Sequence, residues 1–456
     1  MVFNQDSCIH IPKIHAEETW LKKVLKKLTR SSVQYGDVEA VEIKKYYDEN
    51  DHEFLIPRFF PLDKVGHSST SSLDEGQDID VNHGIKPRNL IQENSAKWFK
   101  GNNYGILCMK PGEGKTVVTI QAICDIGKKA IVFVHKNDLG KQWIDRFEEH
   151  TELPRDRIGW LRSSTYKADF NKPVIISTVQ TFCSLCKNPE ALKCINNSGI
   201  GIAVWDECHT SVSAEMLSKS SLYTPAFRTY GLSATPERTD GNEDIMALHL
   251  GKVHQPVGNT NTLIPRVISI NFDFEVAKKY NYTIKQLYLD NSNKNKGRFN
   301  KAVYLSKLIK SKKLVNCSKQ LVNKIIKSDR HALILSDRIN LLEDIMKGFP
   351  KEKCSLYVAA TKGDREEILK KQLIFSTYQM SRDGLDVPRL DCVIFVTPVS
   401  NIAQAAGRIL RALEGKVQPV IMDLIDTGSE DILKRSSYRK RFYNEQGWEI
   451  EEKTYK

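Results

Sequence analysis

The sequence predicts an α/β protein: two doubly wound parallel-sheet lobes in tandem, with a small α+β appendage at the N-terminus. Three observations predict it. Short apolar runs cluster in two separate blocks of the chain, longer polar or amphipathic stretches lie between the runs, and 456 residues are too many for one ordinary core. Strand, crossover and strand in that rhythm imply parallel sheets covered by helices.

The elements follow in order. Residues 17–29 place Trp20, Leu21, Val24, Leu25 and Leu28 on one side of a helix. Residues 39–60 alternate and are broken by DEND at 48–51, which predicts a hairpin. Residues 1–62 therefore read as a small α+β domain, a candidate for duplex binding. The Ser-, Asp- and Gly-rich stretch at 66–84 reads as a linker, assigned to 63–85. The first lobe, 86–252, carries apolar runs at 104–109, 130–134, 174–178, 201–205 and 229–233. The second, 331–456, carries them at 332–336, 354–358, 373–377, 392–397 and 419–424.

Residues 253–330 read as a basic connecting segment. Its part from 276 to 330 holds 15 Lys or Arg against two acids, Asp290 and Asp329, which by itself exceeds the +12 of the whole chain. Such density is either a solvated helical face or a grip on phosphates, and mutual repulsion favours the grip, with Lys294, Lys296, Arg298 and Lys301 as candidates. A second basic stretch, LKRSSYRKRFY at 433–443, suits backbone contact with base stacking, or a plain surface helix.

Composition bounds the class. Hydrophobic residues at 40% and charged residues at 27% are ordinary for a globular chain. No apolar run approaches the roughly 20 residues that span a bilayer. The start, MVFNQDSCIHIPK, lacks a charged-then-apolar leader pattern. Ten scattered cysteines read as reduced thiols of a cytoplasmic protein. Cys183, Cys186 and Cys194 cluster in sequence, but zinc would need a fourth ligand nearby and none is there. The basic balance suits a polyanionic partner.

Two motifs carry chemistry. In MKPGEGKTVVTI, 109–120, the segment Pro111, Gly112, Glu113 and Gly114 allows a tight loop whose N–H groups wrap phosphates. Lys115 would reach the β- and γ-phosphates and Thr116 would hold Mg²⁺. The full pattern wants Gly where this chain has Met109. In AVWDECHT, 203–210, an apolar strand delivers Asp206 and Glu207 at its C-terminal end. Asp206 would hold Mg²⁺ and Glu207 would deprotonate the attacking water. A helix start rich in acids would explain one of the two, but not their pairing with an upstream phosphate loop.

The order of these segments resembles the second helicase superfamily over residues 86–427. The loop resembles motif I and DECH motif II. HKNDLGKQW (135–143) resembles motif Ia, STVQTF (177–182) motif Ib, LSATPERTDG (232–241) motif III, STYQMSRDGLDVP (376–388) motif V and QAAGRILR (404–411) motif VI. The SATPxRxDG form and the Gln-Trp of motif Ia point to the branch of xeroderma-pigmentosum-B-like helicases and phage helicases of the UvsW type, which also tolerates the loss of Gly at 109. The resemblance implies two RecA-like lobes using ATP and Mg²⁺. It implies that Gln92 reads adenine, and that Ser233, Ala234 and Thr235 couple the ATP state to lobe closure. It further implies that Thr178, Gln180 and Thr377 touch nucleic-acid backbone, that Gly384 and Asp386 face the nucleotide, and that Gln404, Arg408 and Arg411 complete the ATP site. The expected function is an ATP-dependent helicase or translocase acting on DNA rather than RNA. The alternatives are an RNA helicase, a translocating subunit of a restriction complex, and a binding protein with a degenerate ATPase.

Overall fold

The computed structural model describes residues 1–34, 40–110, 112–209, 214–234, 242–258, 263–273, 301–310, 312–361, 365–382, 387–399, 402–410, 413, 415–428 and 430–455. The chain divides into two units, Met1–Thr260 and Asn261–Lys456.

The first unit begins with seven short strands: β1 (Val2–Gln5), β2 (Cys8–Pro12), β3 (Thr29–Gln34), β4 (Ala40–Lys45), β5 (Asp48–Glu49), β6 (Glu53–Pro57) and β7 (Ser68–Ser71). Five of them form a sheet in the order β5-β6-β2-β1-β7. The helix Thr19–Lys27 buries Leu21 and Val24 under it, followed by Leu28 at its C-terminus, the i, i+3, i+7 stripe that an amphipathic helix turns to a core. The hairpin expected over 39–60 is shorter in the structure. β5 and β6 pair across a turn where the Asn50 side chain accepts the N–H groups of His52 and Glu53, while β4 pairs back to β3. Alternation predicts a strand but not its partner.

Seven parallel strands follow: β8 (Tyr104–Cys108), β9 (Ala130–Val134), β10 (Ile158–Trp160), β11 (Val174–Thr178), β12 (Ile202–Trp205), β13 (Arg228–Ser233) and β14 (Val253–His254). Their order is β10-β11-β9-β12-β13-β8-β14. Alternate residues feed two cores. Val132, Val204 and Ile176 meet helices Leu90–Gly101, Lys115–Ile126 and Asn137–His150, and Phe133, Trp205 and Ile175 meet helices Val179–Leu185, Pro189–Asn196 and Ala214–Leu222. Both faces are covered, so the strands read as unbroken apolar runs. The stretch read as a linker lies against this unit. The Gln77 N–H bonds the Gly199 carbonyl, the Lys129 N–H bonds the Gln77 carbonyl, and the Ile79 N–H bonds the Gly127 carbonyl, at 2.8–2.9 Å.

The second unit has β15 (Arg266–Phe272), β16 (Ala332–Ser336), β17 (Cys354–Tyr357), β18 (Leu373–Thr377), β19 (Cys392–Phe395), β20 (Val420–Asp426) and β21 (Ile450–Thr454), all parallel, in the order β17-β18-β16-β19-β20-β15-β21. Position by position this is the order of the first unit's parallel sheet. β15 comes from the stretch read as a connector, and so do helices Lys301–Leu308 and Lys312–Lys327, which belong to this unit's core. The longer helix buries Leu314, Cys317, Leu321, Val322 and Ile325, an apolar stripe hidden in sequence by its lysines. In the C-terminal helix Glu430–Glu445, Arg439 and Tyr443 are buried on Asp423, at 2.8 and 3.1 Å, while Lys434, Tyr438, Lys440 and Arg441 face outward. All ten cysteines are free thiols. Eight are buried, and Cys124 and Cys194 are half-buried. Among the described residues no helix is long and apolar enough to cross a membrane.

Candidate active site

The C-terminal ends of β12, β13 and β8 lie side by side in the first unit's parallel sheet. Three of the predicted motifs leave the sheet there. After β8 the chain turns through Gly112 (φ +89°) and Gly114 (φ +90°) into the helix Lys115–Ile126. A side chain at Gly114 would stand 2.5 Å from Gln92 Nε2, so the loop requires glycine twice over, for its φ and for space. Glu113 is buried, its carboxylate accepts the Lys110 N–H at 2.6 Å, and burial pushes its pKa up. Lys115 Nζ donates to the Met109 carbonyl at 3.0 Å, and Thr116 stands half-exposed in the first helical turn. With no side-chain cap, that turn leaves N–H groups for an anion. Met109 itself is buried, with its sulfur 3.5 Å from Ser95 Oγ, so the residue that replaces glycine serves the core.

Gln92 is 1% exposed. Its amide accepts the Arg88 N–H at 2.9 Å and donates to the Glu113 carbonyl at 2.8 Å, which ties the helix Leu90–Gly101 to the phosphate loop.

β12 ends at Trp205 and presents Asp206 and Glu207. Asp206 Oδ2 accepts the indole N–H of Trp143 at 2.8 Å, and Oδ1 accepts the Glu207 N–H at 3.0 Å. Burial, then the Glu207 carboxylate, push the Asp206 pKa up to about 6. The Trp143 hydrogen bond and the charges of Lys115 and His135 pull the other way. Glu207 has φ +48°, a left-handed backbone that costs a non-glycine residue about 1–2 kcal/mol. His209 Nδ1 lies 2.8 Å from Ser233 Oγ and 3.5 Å from Glu207 Oε2, so the DECH turn touches the end of β13 directly. The Cys208 N–H to Leu232 carbonyl bond fixes the same junction. Ser233 and Ala234 are buried there.

Thr178 Oγ1 caps the helix Val179–Leu185 by accepting the Thr181 N–H at 3.2 Å, and Gln180 is exposed in its first turn. In the second unit Thr377 does the same for the Met380 N–H at 3.3 Å. Arg408 is half-buried on the helix Ala403–Ile409, whose Ala405, Ala406 and Ile409 are core. Pro111, Thr235, Lys294, Lys296, Arg298, Gly384, Asp386 and Arg411 lie outside the described residues, as do the side chains of Gln404 and Lys301. The structure thus brings Gln92, Gly112, Glu113, Gly114, Lys115, Thr116, Asp206, Glu207 and Ser233 to one edge of one sheet. Two residues in contact with this site were given no role there in sequence: Trp143, read only as a mark of the helicase branch, and His209. Both sit inside recognisable motifs, but their partners are 63 and 24 residues away.

Residues 84–238 match the family described as "Type III restriction enzyme, res subunit". A putative ATP-dependent RNA helicase L396 of Acanthamoeba polyphaga mimivirus is 26% identical over 422 residues, 89% of this chain and 77% of the relative. In sequence the chain is thus similar to superfamily 2 helicases. It is also 24% identical to the DNA 3'-5' translocase XPB2 of Sulfurisphaera tokodaii, over 78% of this chain and 85% of that one. Its fold matches S. cerevisiae Dbp5 bound to RNA and ADP BeF3, with TM-score 0.52 and 14% identity over 80% of this chain and 90% of that one. The helicase is therefore an ATP-dependent enzyme of two RecA-like units that acts on nucleic acid.

Proposed function

We propose that this helicase couples Mg²⁺-ATP hydrolysis to movement on DNA, unwinding or remodelling duplex or branched substrates. One observation supports the chemistry above all: the phosphate loop and the Asp206–Glu207 pair emerge from strands of one sheet separated by a single strand, with Lys115 near enough to pull on the charge of Asp206. The donor set fits a hard divalent cation, since the Thr116 hydroxyl and the Asp206 carboxylate offer oxygen alone. Bound there, Mg²⁺ would offset the charge of the phosphates. Trp143 keeps Asp206 oriented, the loop N–H groups and Lys115 hold the phosphates, and Glu207 takes the proton of the attacking water. Arg408 and Arg411 are proposed to stabilise the transferring phosphoryl group, with Gln404 beside them. Gln92 is proposed to serve adenine recognition, and Gly384 and Asp386 nucleotide contact. Thr178, Gln180, Thr377 and the bases Lys294, Lys296, Arg298 and Lys301 are proposed to meet nucleic-acid backbone.

DNA is favoured by the similarity to a DNA translocase of the XPB type together with the Gln-Trp of motif Ia, whose Trp143 reaches the catalytic carboxylate. The relative named an RNA helicase supports the second reading, an RNA substrate. ATPase rates with single-stranded DNA, duplex, a four-way junction and RNA, measured side by side, test it. Stimulation by the DNA forms is expected, and stimulation by RNA alone would replace the reading with its rival. Glu207→Gln is expected to keep ATP binding and stop turnover. Normal turnover in that variant would remove Glu207 from its role.

A further inference from the structure

A second cluster of metal-ligating side chains lies apart from the residues at the end of β12, at the turn between β1 and β2. Asp6, Cys8 and His10 are spaced two apart, so as the chain enters β2 their side chains fall on one face, while Ile9 and Ile11 point into the N-terminal core. Each offers one ligand atom, and the three atoms lie within 4.8 Å of one another. Cys8 Sγ is 3.6 Å from His10 Nε2 and 3.6 Å from Asp6 Oδ1, and Nε2 is 2.9 Å from Oδ1. A tetrahedral zinc ion with Zn–S near 2.3 Å and Zn–N or Zn–O near 2.0–2.2 Å needs S···N and S···O edges of about 3.6 Å and an N···O edge of about 3.4 Å. Two edges are already in place, and the third opens by about half an ångström once a cation replaces the shared proton.

The other nitrogen of His10 settles the reading. Nδ1 lies 2.8 Å from Glu53 Oε1 on β6, diagonal to it across the ladder. That is the carboxylate–imidazole arrangement that fixes a ligating histidine and leaves Nε2 for the metal. We propose that Asp6, Cys8 and His10 bind Zn²⁺, with Glu53 orienting His10 and water filling the fourth position. A thiolate, an imidazole and one carboxylate suit zinc and exclude Mg²⁺ and Ca²⁺ as preferred ions. Coordination displaces the proton between His10 and Asp6 and the thiol proton of Cys8. Ser7 Oγ donates to the Leu222 carbonyl at 2.5 Å, and Cys8 packs on Leu55 and Leu222. A bound ion would therefore staple the β1–β2 turn where it rests on the helix after the DECH strand.

Cobalt tests this without reference to activity. The metal-stripped full chain, in excess Mg²⁺, is titrated with Co²⁺. Tetrahedral d–d bands and a thiolate-to-cobalt charge-transfer band saturating at one equivalent, and bleached by Zn²⁺, are expected. Cys8→Ser is expected to lose the charge-transfer band. Glu53→Gln is expected to keep it with about 10- to 100-fold weaker Co²⁺ affinity. A Cys183→Ala/Cys186→Ser variant is expected to keep the band unchanged, and the weaker affinity of Glu53→Gln, which acts through His10, decides the matter even if Cys8→Ser fails to fold. No band in the wild type, its persistence in folded Cys8→Ser, or its loss in the Cys183/Cys186 variant would overturn the proposal.

Discussion

Trp143 stands behind Asp206, and its indole is the part of the candidate site most exposed to a single substitution. Trp143→Phe keeps most of the packing but withdraws a hydrogen bond to a charged acceptor, an interaction that contributes about 1.5–3 kcal/mol. The expected result is a higher Mg²⁺ requirement for ATPase with nucleotide binding little changed, read from a Mg²⁺ titration. An unchanged titration would show that Asp206 needs no such support. His249 offers a second residue-scale test. It is buried beside Ser218 Oγ at 2.7 Å, and burial pushes its pKa down to about 3, from 6.5 when unfolded. Between those values the unfolded chain binds the proton and the folded one does not. The folded protein therefore loses stability as pH falls below 6.5, by about 2 kcal/mol at pH 5 from this group. His249→Gln, which cannot charge, is expected to flatten that part of the acid-unfolding curve; equal curves for the two proteins would count against it. At this scale the contiguous motifs were legible, because each packs loop, cation and carboxylates into a few adjacent letters. The contacts that tune them were not, since Trp143 meets Asp206 and His209 meets Ser233 only after folding. Asp6, Cys8 and His10 were legible in principle as alternate residues of a turn and the strand it enters, yet Glu53, which gives them meaning, arrives from another strand.

Segments show the same division. Ten of the fourteen parallel strands among the described residues announced themselves as apolar runs, and the short or edge-lying β10, β14 and β21, with β15, did not. The stretch around Gly76 did not, because its attachment uses backbone groups that any composition supplies. Gly201 is where that attachment becomes measurable. A side chain there would meet the Glu75 carbonyl at 2.2 Å and Lys128 Cβ at 3.0 Å. Gly201→Ala is expected to destabilise the protein by about 1–3 kcal/mol and to speed protease cleavage near residue 75. Wild-type cleavage and stability would mean that the segment lifts away at no cost. The helix Lys312–Lys327 was obscured for a different reason. Charge dominated the count over 276–330, and a helix with a full buried stripe was averaged into it.

Over the whole chain, the two parallel sheets share one strand order, which puts β15 in the position held by β8. The segments that leave these two strands differ. β8 leads into the phosphate loop, whereas residues 273–300 contain a single glycine, Gly297, and no Gly-Lys-Thr. Nucleotide affinity is therefore expected to reside in a fragment of residues 1–260 and to be absent from 261–456, measured with a fluorescent ATP analogue. Binding by the second fragment would show that shared strand order had preserved a shared pocket. The free thiols have a practical consequence. With eight of ten cysteines buried and Cys124 and Cys194 half-buried, maleimide dyes under native conditions will favour newly introduced surface cysteines. One such cysteine in each unit, with Cys124 and Cys194 replaced, makes a donor–acceptor pair that can follow single molecules through a turnover cycle without rebuilding the core.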